Sequence, residues 1–473
     1  MQISVSKITQ TAGRSLGLKL LLVCFLVIMM SVPALFIGMI TYDRSSRAKE
    51  VTREVSERYG GEQVLLGPVL VMPYYFIDQF GDVTERGEYV VFAEDGHVEI
   101  SDIITTVRKR SLYKVPTYEA NPVFTAKFSL GDKGIGEKEI GAKLKEGRTG
   151  ELVWESAKIL VGISDMGGLR DDVYLTLPNG AKHKFEPAGL GEDVTFGDVK
   201  QKVRQRRTFQ STNVLQYMQV STDNFVETHT GDFNIGVNMH LSGSTRLSVV
   251  SFAKSTTVNM VADWPHPGFK GRYAPHERSI NGDGFHASWV VPYLARGVRS
   301  AGPAHTLGVH KLLNDTMSVV LVNPVSPYQN VTRALKYSVL FIGIVFIAYF
   351  LFEVVVGVRV HAAQYVLIGL TQCIFYLLLL AFAEHVGFSI AFAIASLATI
   401  GATAGYAGAV FGGRRYCVRA MGVFSLVYGL LYVLMRMEDF ALMVGALMAF
   451  VTIAATMYLT RNVNWYADST LRE

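Results

Sequence analysis

The chain has 473 residues, of which 50% are hydrophobic and only 18% are charged, against about 25% charged in an average soluble domain. This composition excludes a disordered, collagen-like or disulfide-stapled protein, and a net charge of +5 is too small to indicate nucleic-acid binding. Residues 43–336 hold 69 of the 85 charged side chains, whereas residues 337–460 hold nine. The sequence therefore predicts a membrane protein with one large aqueous domain.

The first apolar segment is residues 20–40, which carry no charge and follow Lys7, Arg14 and Lys19. About 20 apolar residues in a helix cross the hydrocarbon core of a bilayer, so this segment predicts transmembrane helix 1. Val32-Pro33-Ala34 faintly resembles a signal-peptide cleavage site. The apolar region of a signal peptide is usually only about 7–15 residues long, so we favour a retained anchor.

Residues 41–60 predict a helical stalk that continues out of the membrane. Apolar residues recur there at spacings of three and four, and opposite charges are four residues apart. The apolar residues are Ala48, Val51, Val55 and Tyr59, and the charged pairs are Arg53 with Glu57 and Glu54 with Arg58. Gly60 and Gly61 predict the end of the helix, because glycine accepts the left-handed conformation of a C-cap.

Residues 61–336 show a hydrophobic period of two, which is typical of β-strands. The clearest runs are 64–74, 124–130, 233–239, 247–249 and 258–262. Because Gly and Pro separate such runs, the sequence predicts a mostly antiparallel β domain, sandwich-like or divided into two smaller units. Residues 131–150 predict a long turn, and residues 196–217 predict a helical interlude.

The C-terminal third predicts a five-helix bundle over residues 337–460, which brings the number of transmembrane helices to six. The predicted spans are 337–356, 361–383, 388–411, 418–435 and 440–459. Arg359, Arg414 and Arg461 fall in segments on the same side as the basic N-terminus, and the positive-inside rule makes that side cytoplasmic. Residues 1–19 and 461–473 are therefore expected in the cytoplasm. The β domain is expected in the periplasm of a bacterium.

Several motifs, read in order, resemble the CreD family of bacterial inner-membrane proteins. They include Gly67–Tyr74, Trp264–Phe269, Pro327–Gln329, Phe352-Glu353, Gln364-Tyr365, Glu384–Phe388 and Glu438–Leu442. The resemblance runs from about Arg14 to Tyr466 and implies a multi-pass Gram-negative inner-membrane protein with a large periplasmic domain. It also implies a role in cell-envelope integrity, in tolerance to a colicin and in a two-component regulon that responds to β-lactam stress. It implies neither an enzymatic reaction nor a ligand.

The sequence displays no motif of a known catalytic site. It has no Walker A sequence, no His-Glu-x-x-His, no Gly-x-Ser-x-Gly and no cysteine pair at metal-binding spacing. His266, His276 and His286 are ten residues apart, which is much longer than the spacing of histidine pairs in sequence-local zinc sites. We therefore predict a protein that is not an enzyme and has no cofactor and no metal site.

Trp264, His266 and Phe269 form a candidate binding loop stiffened by two prolines. The aromatic rings of this loop can be interpreted in two ways. In the first, they contact a partner at the surface. In the second, they turn inward and pack on the β core. The second interpretation is favoured, because aromatic side chains beside strands are usually part of the core.

Ionisable residues near the membrane are the strongest candidates for a site, because a charge within the bilayer is costly. Glu353 is a candidate intramembrane carboxylate that either pairs with Arg359 or His361 or faces the interior of the bundle. A second candidate is a polar cluster at the predicted periplasmic face, formed by Glu384, His385, Arg436, Glu438 and Asp439. Its three interpretations are solvation of short turns, a docking surface and proton handling by Glu384 and His385.

These features favour an envelope protein whose β domain binds or senses a glycan, lipid or protein of the envelope. The alternative is a transporter or lipid-handling protein that uses Glu353, Glu384 and His385. Small residues in the fourth span, including Gly401, Gly405 and Gly408, predict close helix packing, either within the bundle or in a dimer. Packing within the bundle is favoured, and the sequence does not determine the oligomeric state.

Overall fold

A computed structural model describes residues 16–77, 80, 82–130, 149–188, 215–222, 231–307, 309–322, 327–356, 360–436 and 440–461. The chain divides into two compact units. Met1–Lys49 and Val325–Glu473 form a helical unit, called here the transmembrane unit, and Glu50–Pro324 form a β-rich unit, called the β unit. Most of the predicted long turn and of the predicted helical interlude lies outside the described residues.

The helices differ greatly in length between the two units. In chain order they are α1 (Leu16–Glu57), α2 (Tyr293–Arg296), α3 (Ala304–Leu307), α4 (Val309–Asn314), α5 (Pro327–Lys336), α6 (Ser338–Val356), α7 (Ala362–Val386), α8 (Phe388–Phe411), α9 (Arg414–Arg436) and α10 (Ala441–Thr460). The short helices α2 to α4 belong to the β unit. The α5 segment, which the sequence pattern assigned to the β domain, groups with the transmembrane helices.

Five helices in the described part of the chain are long and apolar enough to cross a membrane: α1, α7, α8, α9 and α10. The helices α5 and α6 pass the same test only when they are taken together, and the pair is bent by 55°. Counted as one broken span, this pair brings the number to six. The bend lies at Tyr337, whose N–H bonds to the Ala334 carbonyl at 3.2 Å, three residues back rather than four. The six predicted spans fall on α1, α6, α7, α8, α9 and α10, and α6 passes the length and hydropathy test only together with α5.

Aromatic side chains fill the interior of the transmembrane unit. The Tyr428 ring of α9 lies 4.8 Å from the Phe341 ring of α6 and 4.9 Å from the Phe375 ring of α7, both edge to face. Phe375 also meets Phe392 of α8 at 5.5 Å. This cluster joins four helices, and edge-to-face aromatic pairs contribute about 0.5–1.5 kcal/mol each beyond burial.

The glycines of α8 lie on two different surfaces of the helix. A Cβ added at Gly408 would lie 2.8 Å from the Cys417 Cβ, so this glycine allows α8 and α9 to approach closely. Gly401 and Gly405 are exposed, and a Cβ added at either would meet no heavy atom within 4 Å. Packing within the bundle therefore accounts for Gly408 but not for Gly401 and Gly405 in the part of the chain that the structure describes.

The β unit contains nineteen strands in its described residues. They are β1 (Gln63–Ile77), β2 (Val83–Arg110), β3 (Tyr113–Ala120), β4 (Val123–Ser129), β5 (Thr149–Leu152), β6 (Lys158–Ile163), β7 (Tyr174–Thr176), β8 (Lys182–Lys184), β9 (Glu186–Pro187), β10 (Gln216–Ser221), β11 (Asp232–Asn238), β12 (Leu241–Ser244), β13 (Arg246–Val250), β14 (Ala253–Ala262), β15 (Pro267–Gly271), β16 (Glu277–Asn281), β17 (Gly284–Val291), β18 (Ala301–Pro303) and β19 (Thr316–Leu321). The predicted strands at 64–74, 124–130, 233–239, 247–249 and 258–262 fall on β1, β4, β11, β13 and β14. Tyr217 lies in β10, so the predicted helical interlude cannot extend to it.

The long strand β2 joins the sheet regions into one network. Its first part pairs with β1, its middle lies between β4 and β14, and its last part pairs with β3. Most pairings are antiparallel, and the parallel ones are β1 with β13 and β2 with β14. All described strands belong to a single, nearly closed and barrel-like sheet. The mostly antiparallel β prediction is confirmed, but the sandwich is not.

Burial explains why the strands differ in sequence pattern. In β4 alternate side chains are buried, so one face of this strand meets the core and the other meets solvent. The first ten residues of β1 are all buried, which is why this central strand reads as a continuous apolar run. Trp289 of β17 is fully buried, and its Nε1 donates to the Tyr273 carbonyl at 3.1 Å. One large hydrophobic cluster contains buried residues of strands from β1 to β19.

The last turns of α1 pack on the hairpin of β2 and β3 within the β unit. Val51 and Val55 are buried against Val115. Glu54 pairs with Arg110 of β2 rather than with the predicted Arg58. The predicted pair of Arg53 and Glu57 is present, with Nε and Oε1 3.7 Å apart, but both side chains are exposed. The stalk prediction thus identified the helix and its apolar face but not the partner of Glu54.

Candidate functional site

The transmembrane unit buries a carboxylate near the end of α6. Glu353 is 4% exposed, and its side chain forms an ion pair with Lys19 of α1. The Tyr365 hydroxyl of α7 donates to its Oε2 at 2.8 Å, and the Val360 N–H donates to its Oε1 at 3.2 Å. The carboxylate therefore holds together α1, α6 and the start of α7.

Glu353 faces the interior of the unit, and His361 does not pair with it. His361 instead caps α7. Its Nδ1 accepts from the Ala363 N–H at 3.2 Å, and the Gln364 Oε1 accepts from the His361 N–H at 2.9 Å. Arg359, the other partner considered from the sequence, lies outside the described residues. Sequence reasoning missed Lys19 and Tyr365, although the need of a buried carboxylate for a cation was itself a signal.

Further along α7, Gln372 and Tyr428 form a second buried polar contact. The Tyr428 hydroxyl of α9 donates to the Gln372 Oε1 at 2.7 Å, and both residues are buried. Gln372 Nε2 and the hydroxyls of Tyr349 and Tyr376 are buried and have no hydrogen-bond partner among the residues that the structure describes. Tyr365, Gln372 and Tyr376 follow each other at spacings of seven and four, so α7 presents these three side chains on one face.

At the other end of α7, the Glu384 carboxylate interacts with side chains of two other helices. The Tyr328 hydroxyl of α5 donates to its Oε1 at 3.0 Å, and the Arg44 Nη1 of α1 lies 3.8 Å from its Oε2. The Glu384 side chain is only 9% exposed, so its two partners replace much of its contact with water. The neighbouring His385 is exposed.

Arg436, the predicted basic member of the same cluster, has other partners. Its Nη2 donates to the Ser389 hydroxyl of α8 at 3.0 Å and to the Tyr432 hydroxyl at 3.2 Å. Glu438 and Asp439 lie outside the described residues. The structure thus brings Glu384 and Arg436 to separate sets of partners, and it does not assemble the five predicted residues into one cluster within its described part.

The candidate binding loop turns its aromatic side chains inward. The Trp264 Nε1 donates to the His266 carbonyl at 3.1 Å and to the Val322 carbonyl at 3.2 Å. The Phe269 ring packs edge to face on Phe285 at 5.8 Å, and both Trp264 and Phe269 lie against the hydrophobic core. His266 is the exposed member of the loop. These contacts correspond to the core interpretation of the aromatic residues.

Arg296 is a buried cation that the sequence analysis did not single out. Arg296 is 2% exposed, and its guanidinium carbon lies 3.7 Å from the Phe92 ring centre. Its guanidinium nitrogens have no hydrogen-bond partner within the described part of the chain. Burial lowers the pKa of Arg296 to about 10. Arg296 ends a four-residue helix between two strands, and so short a helix has no hydrophobic period that would indicate its buried face.

The β unit has an open cavity of about 550 Å³ beside β10. Its walls include Met166, Leu169, Val173, Phe185 and Met218, and its rim carries Arg170, Asp171 and Asp172. Asp171 lies 2.7 Å from the His240 Nδ1, and the Lys184 Nζ donates to Asp172 at 2.6 Å. That hydrogen bond raises the pKa of Lys184. Asp172 is thus paired with a cation and Asp171 contacts an imidazole, whereas Arg170 is exposed and forms no ion pair with any residue that the structure describes.

In the described part of the chain, no group of three His, Cys, Asp or Glu residues is placed to hold a metal ion. A family model described as inner membrane protein CreD matches residues 15–466. The chain is also 31% identical over 460 residues to the inner membrane protein CreD of Escherichia coli strain K12. That alignment covers 94% of this chain and 92% of the relative. The similarity thus includes both units.

Proposed function

Because the chain belongs to the CreD family of inner membrane proteins, we propose that it contributes to cell-envelope integrity and to the response to β-lactam stress. In this proposal the β unit lies in the periplasm and binds or senses an envelope component. The transmembrane unit anchors it, with both termini in the cytoplasm. The protein performs no catalytic reaction in this role.

The cavity beside β10 is the observation that supports binding. An apolar wall with few polar groups at the rim is typical of sites for small ligands. The wall would accept an apolar part of a glycan, lipid or protein, and Arg170 would accept a negative charge. The proposed ligand is therefore an amphiphilic, anionic component of the envelope.

Charge reversal at the rim tests this function in a strain that lacks the chromosomal copy. We expect Arg170→Glu to fail to restore survival under β-lactam and detergent stress, because it places a third carboxylate beside Asp171 and Asp172. Arg170→Lys keeps the charge and is expected to restore survival. Lys182→Glu, an exposed position of β8 outside the cavity lining, is the matched control. Full survival with Arg170→Glu at normal protein levels would contradict the proposed site.

The proposed orientation is tested with single cysteines after Cys24, Cys373 and Cys417 are replaced by serine. Ser279 is exposed in β16 and Arg461 is exposed after α10. We expect Ser279→Cys to react with a membrane-impermeant maleimide once the outer membrane is permeabilised. Arg461→Cys is expected to react only after the inner membrane is lysed. The reverse pattern would refute the orientation.

The alternative function, transport or lipid handling, is supported by the buried carboxylates at the two ends of α7. Glu353 and Glu384 are both largely removed from water, and ionisable residues within spans often mark pathways. Their contacts with Lys19 and Arg44 also fit a purely structural role. Complementation by Glu353→Gln, Glu384→Gln and His385→Ala would together eliminate the alternative, whereas loss of function in well-folded variants would favour it.

A further inference from the structure

The transmembrane unit has a lateral groove of about 460 Å³ where α1 passes the bend between α5 and α6. Ala34, Leu35 and Gly38 of α1 line one side, and Leu335 and Val339 line the other. Apolar atoms dominate this surface, so the groove suits an acyl chain better than a water-soluble ligand.

The groove lies near one boundary of the bilayer. Lys19 and Glu353 pair at one end of the unit. Gly38 is 19 residues after Lys19, and Lys336 is 17 residues before Glu353. A helix rises 1.5 Å per residue, so both positions lie roughly 25–30 Å from the ion pair, about the thickness of the hydrocarbon core. The level of Gly38 and Lys336 is therefore the level of lipid headgroups.

Lys336 places a cation on the groove wall at this level. The Lys336 side chain is exposed, and it makes no hydrogen bond or ion pair with the part of the chain that the structure describes. Thr332, one turn earlier in α5, is also exposed and lines the same groove. An ammonium group and a hydroxyl above an apolar wall match the phosphate and acyl chain of one lipid molecule.

We propose that this groove binds one anionic phospholipid, with an acyl chain between α1 and α6 and its headgroup on Lys336. Charge complementarity selects the lipid, because a negative headgroup meets a lysine that lacks an internal partner. The inference is independent of the proposed function, since it concerns only the transmembrane unit.

Gly38 allows the groove to be blocked without changing its charge. A Cβ added at Gly38 would meet no heavy atom within 4 Å, so a leucine there would occupy open space rather than clash. Gly38→Leu and Lys336→Gln thus remove the two halves of the site separately. Arg461→Gln, an exposed cation after the last helix, is the matched charge control.

The test is native mass spectrometry of the full-length protein titrated with phosphatidylglycerol or phosphatidylcholine. We expect one phosphatidylglycerol per chain, bound about fivefold more weakly by Lys336→Gln, as for loss of one lysine near an anionic headgroup. Gly38→Leu is expected to reduce binding of both lipids, and Arg461→Gln to change neither. A thermal unfolding measurement on each variant verifies that the fold is retained.

Equal binding of the two lipids by the natural chain, or unchanged phosphatidylglycerol binding by folded Lys336→Gln, would overturn selection by charge. Unchanged binding by folded Gly38→Leu would overturn the groove as the site. Weakening by Arg461→Gln as large as that by Lys336→Gln would indicate unspecific attraction and would also overturn the proposal.

Discussion

Lys19→Met is expected to destabilise the transmembrane unit by about 3 kcal/mol or more, because it leaves the buried carboxylate of Glu353 without its cation. Breaking a buried ion pair by removing one partner typically costs about 3–5 kcal/mol. The Tyr365 hydroxyl and the Val360 N–H would remain as donors, but neither carries a charge. The measurement is unfolding of the purified protein in detergent, compared with the natural chain.

The double variant Lys19→Met with Glu353→Met provides the decisive comparison. Replacing both members of a buried ion pair by apolar residues is often neutral or stabilising, so we expect recovery of most of the lost stability. Arg461→Met, at an exposed cation, controls for the loss of one positive charge. A Lys19→Met protein as stable as the natural chain would show that the ion pair contributes nothing.

The same double variant separates structure from function. If it is stable and restores survival under envelope stress, Lys19 and Glu353 serve only to hold α1 against α6 and α7. If it is stable but inactive, the charges themselves are required, which would favour the transport alternative. Expression and membrane insertion must be equal for this comparison, because lysine also contributes to helix orientation.

Gly60→Ala is expected to destabilise the β unit by about 2–5 kcal/mol. Gly60 has a φ of 84°, which costs an alanine roughly 1–2 kcal/mol. In addition, its new Cβ would lie 2.5 Å from the Gly168 Cα and 2.8 Å from the Gln63 Nε2. Overpacking against backbone adds about 1–3 kcal/mol, because neither strand nor turn can withdraw cheaply.

Gly61→Ala is the matched control for this prediction. Gly61 also has a positive φ, 61°, but a Cβ added there would meet no heavy atom within 4 Å. We therefore expect Gly61→Ala to cost only the conformational part, about 1–2 kcal/mol. Thermal unfolding of both variants measures the difference. Equal losses would mean that the contact with Gly168 relaxes without cost.

The larger effect at Gly60 has a structural cause in Gln63. This side chain is fully buried, and its Nε2 donates to the Gly60 carbonyl at 2.6 Å and to the Asp165 carbonyl at 3.1 Å. It therefore links the end of α1, the start of β1 and the turn before Gly168. The sequence predicted the helix end at Gly60 and Gly61 from their conformational freedom alone. Which of the two glycines is confined by neighbours depends on contacts a hundred residues away.

Local sequence signals identified individual elements but not the partners of polar side chains. Glu353 was recognised from its cost in an apolar span, yet spacing along the chain suggested Arg359 and His361. Its cation, Lys19, is 334 residues away and was counted only as a charge flanking the first span. A buried charge requires a partner, but hydropathy does not say which helix will supply it.

The sequence by itself determined the apolar spans and the alternating strands, because burial in lipid or in a β core imposes periodicities that are visible within a few residues. The family was indicated separately, by the order of short motifs along the chain. Tertiary structure decided the rest. It paired Glu353 with Lys19 and packed Trp264 against the core. It also brought Glu384 into contact with Arg44 and Tyr328. It also joined the strands into one nearly closed sheet through β2. These outcomes depend on pairings between distant segments, which are set by packing and by hydrogen-bond satisfaction and leave no local pattern.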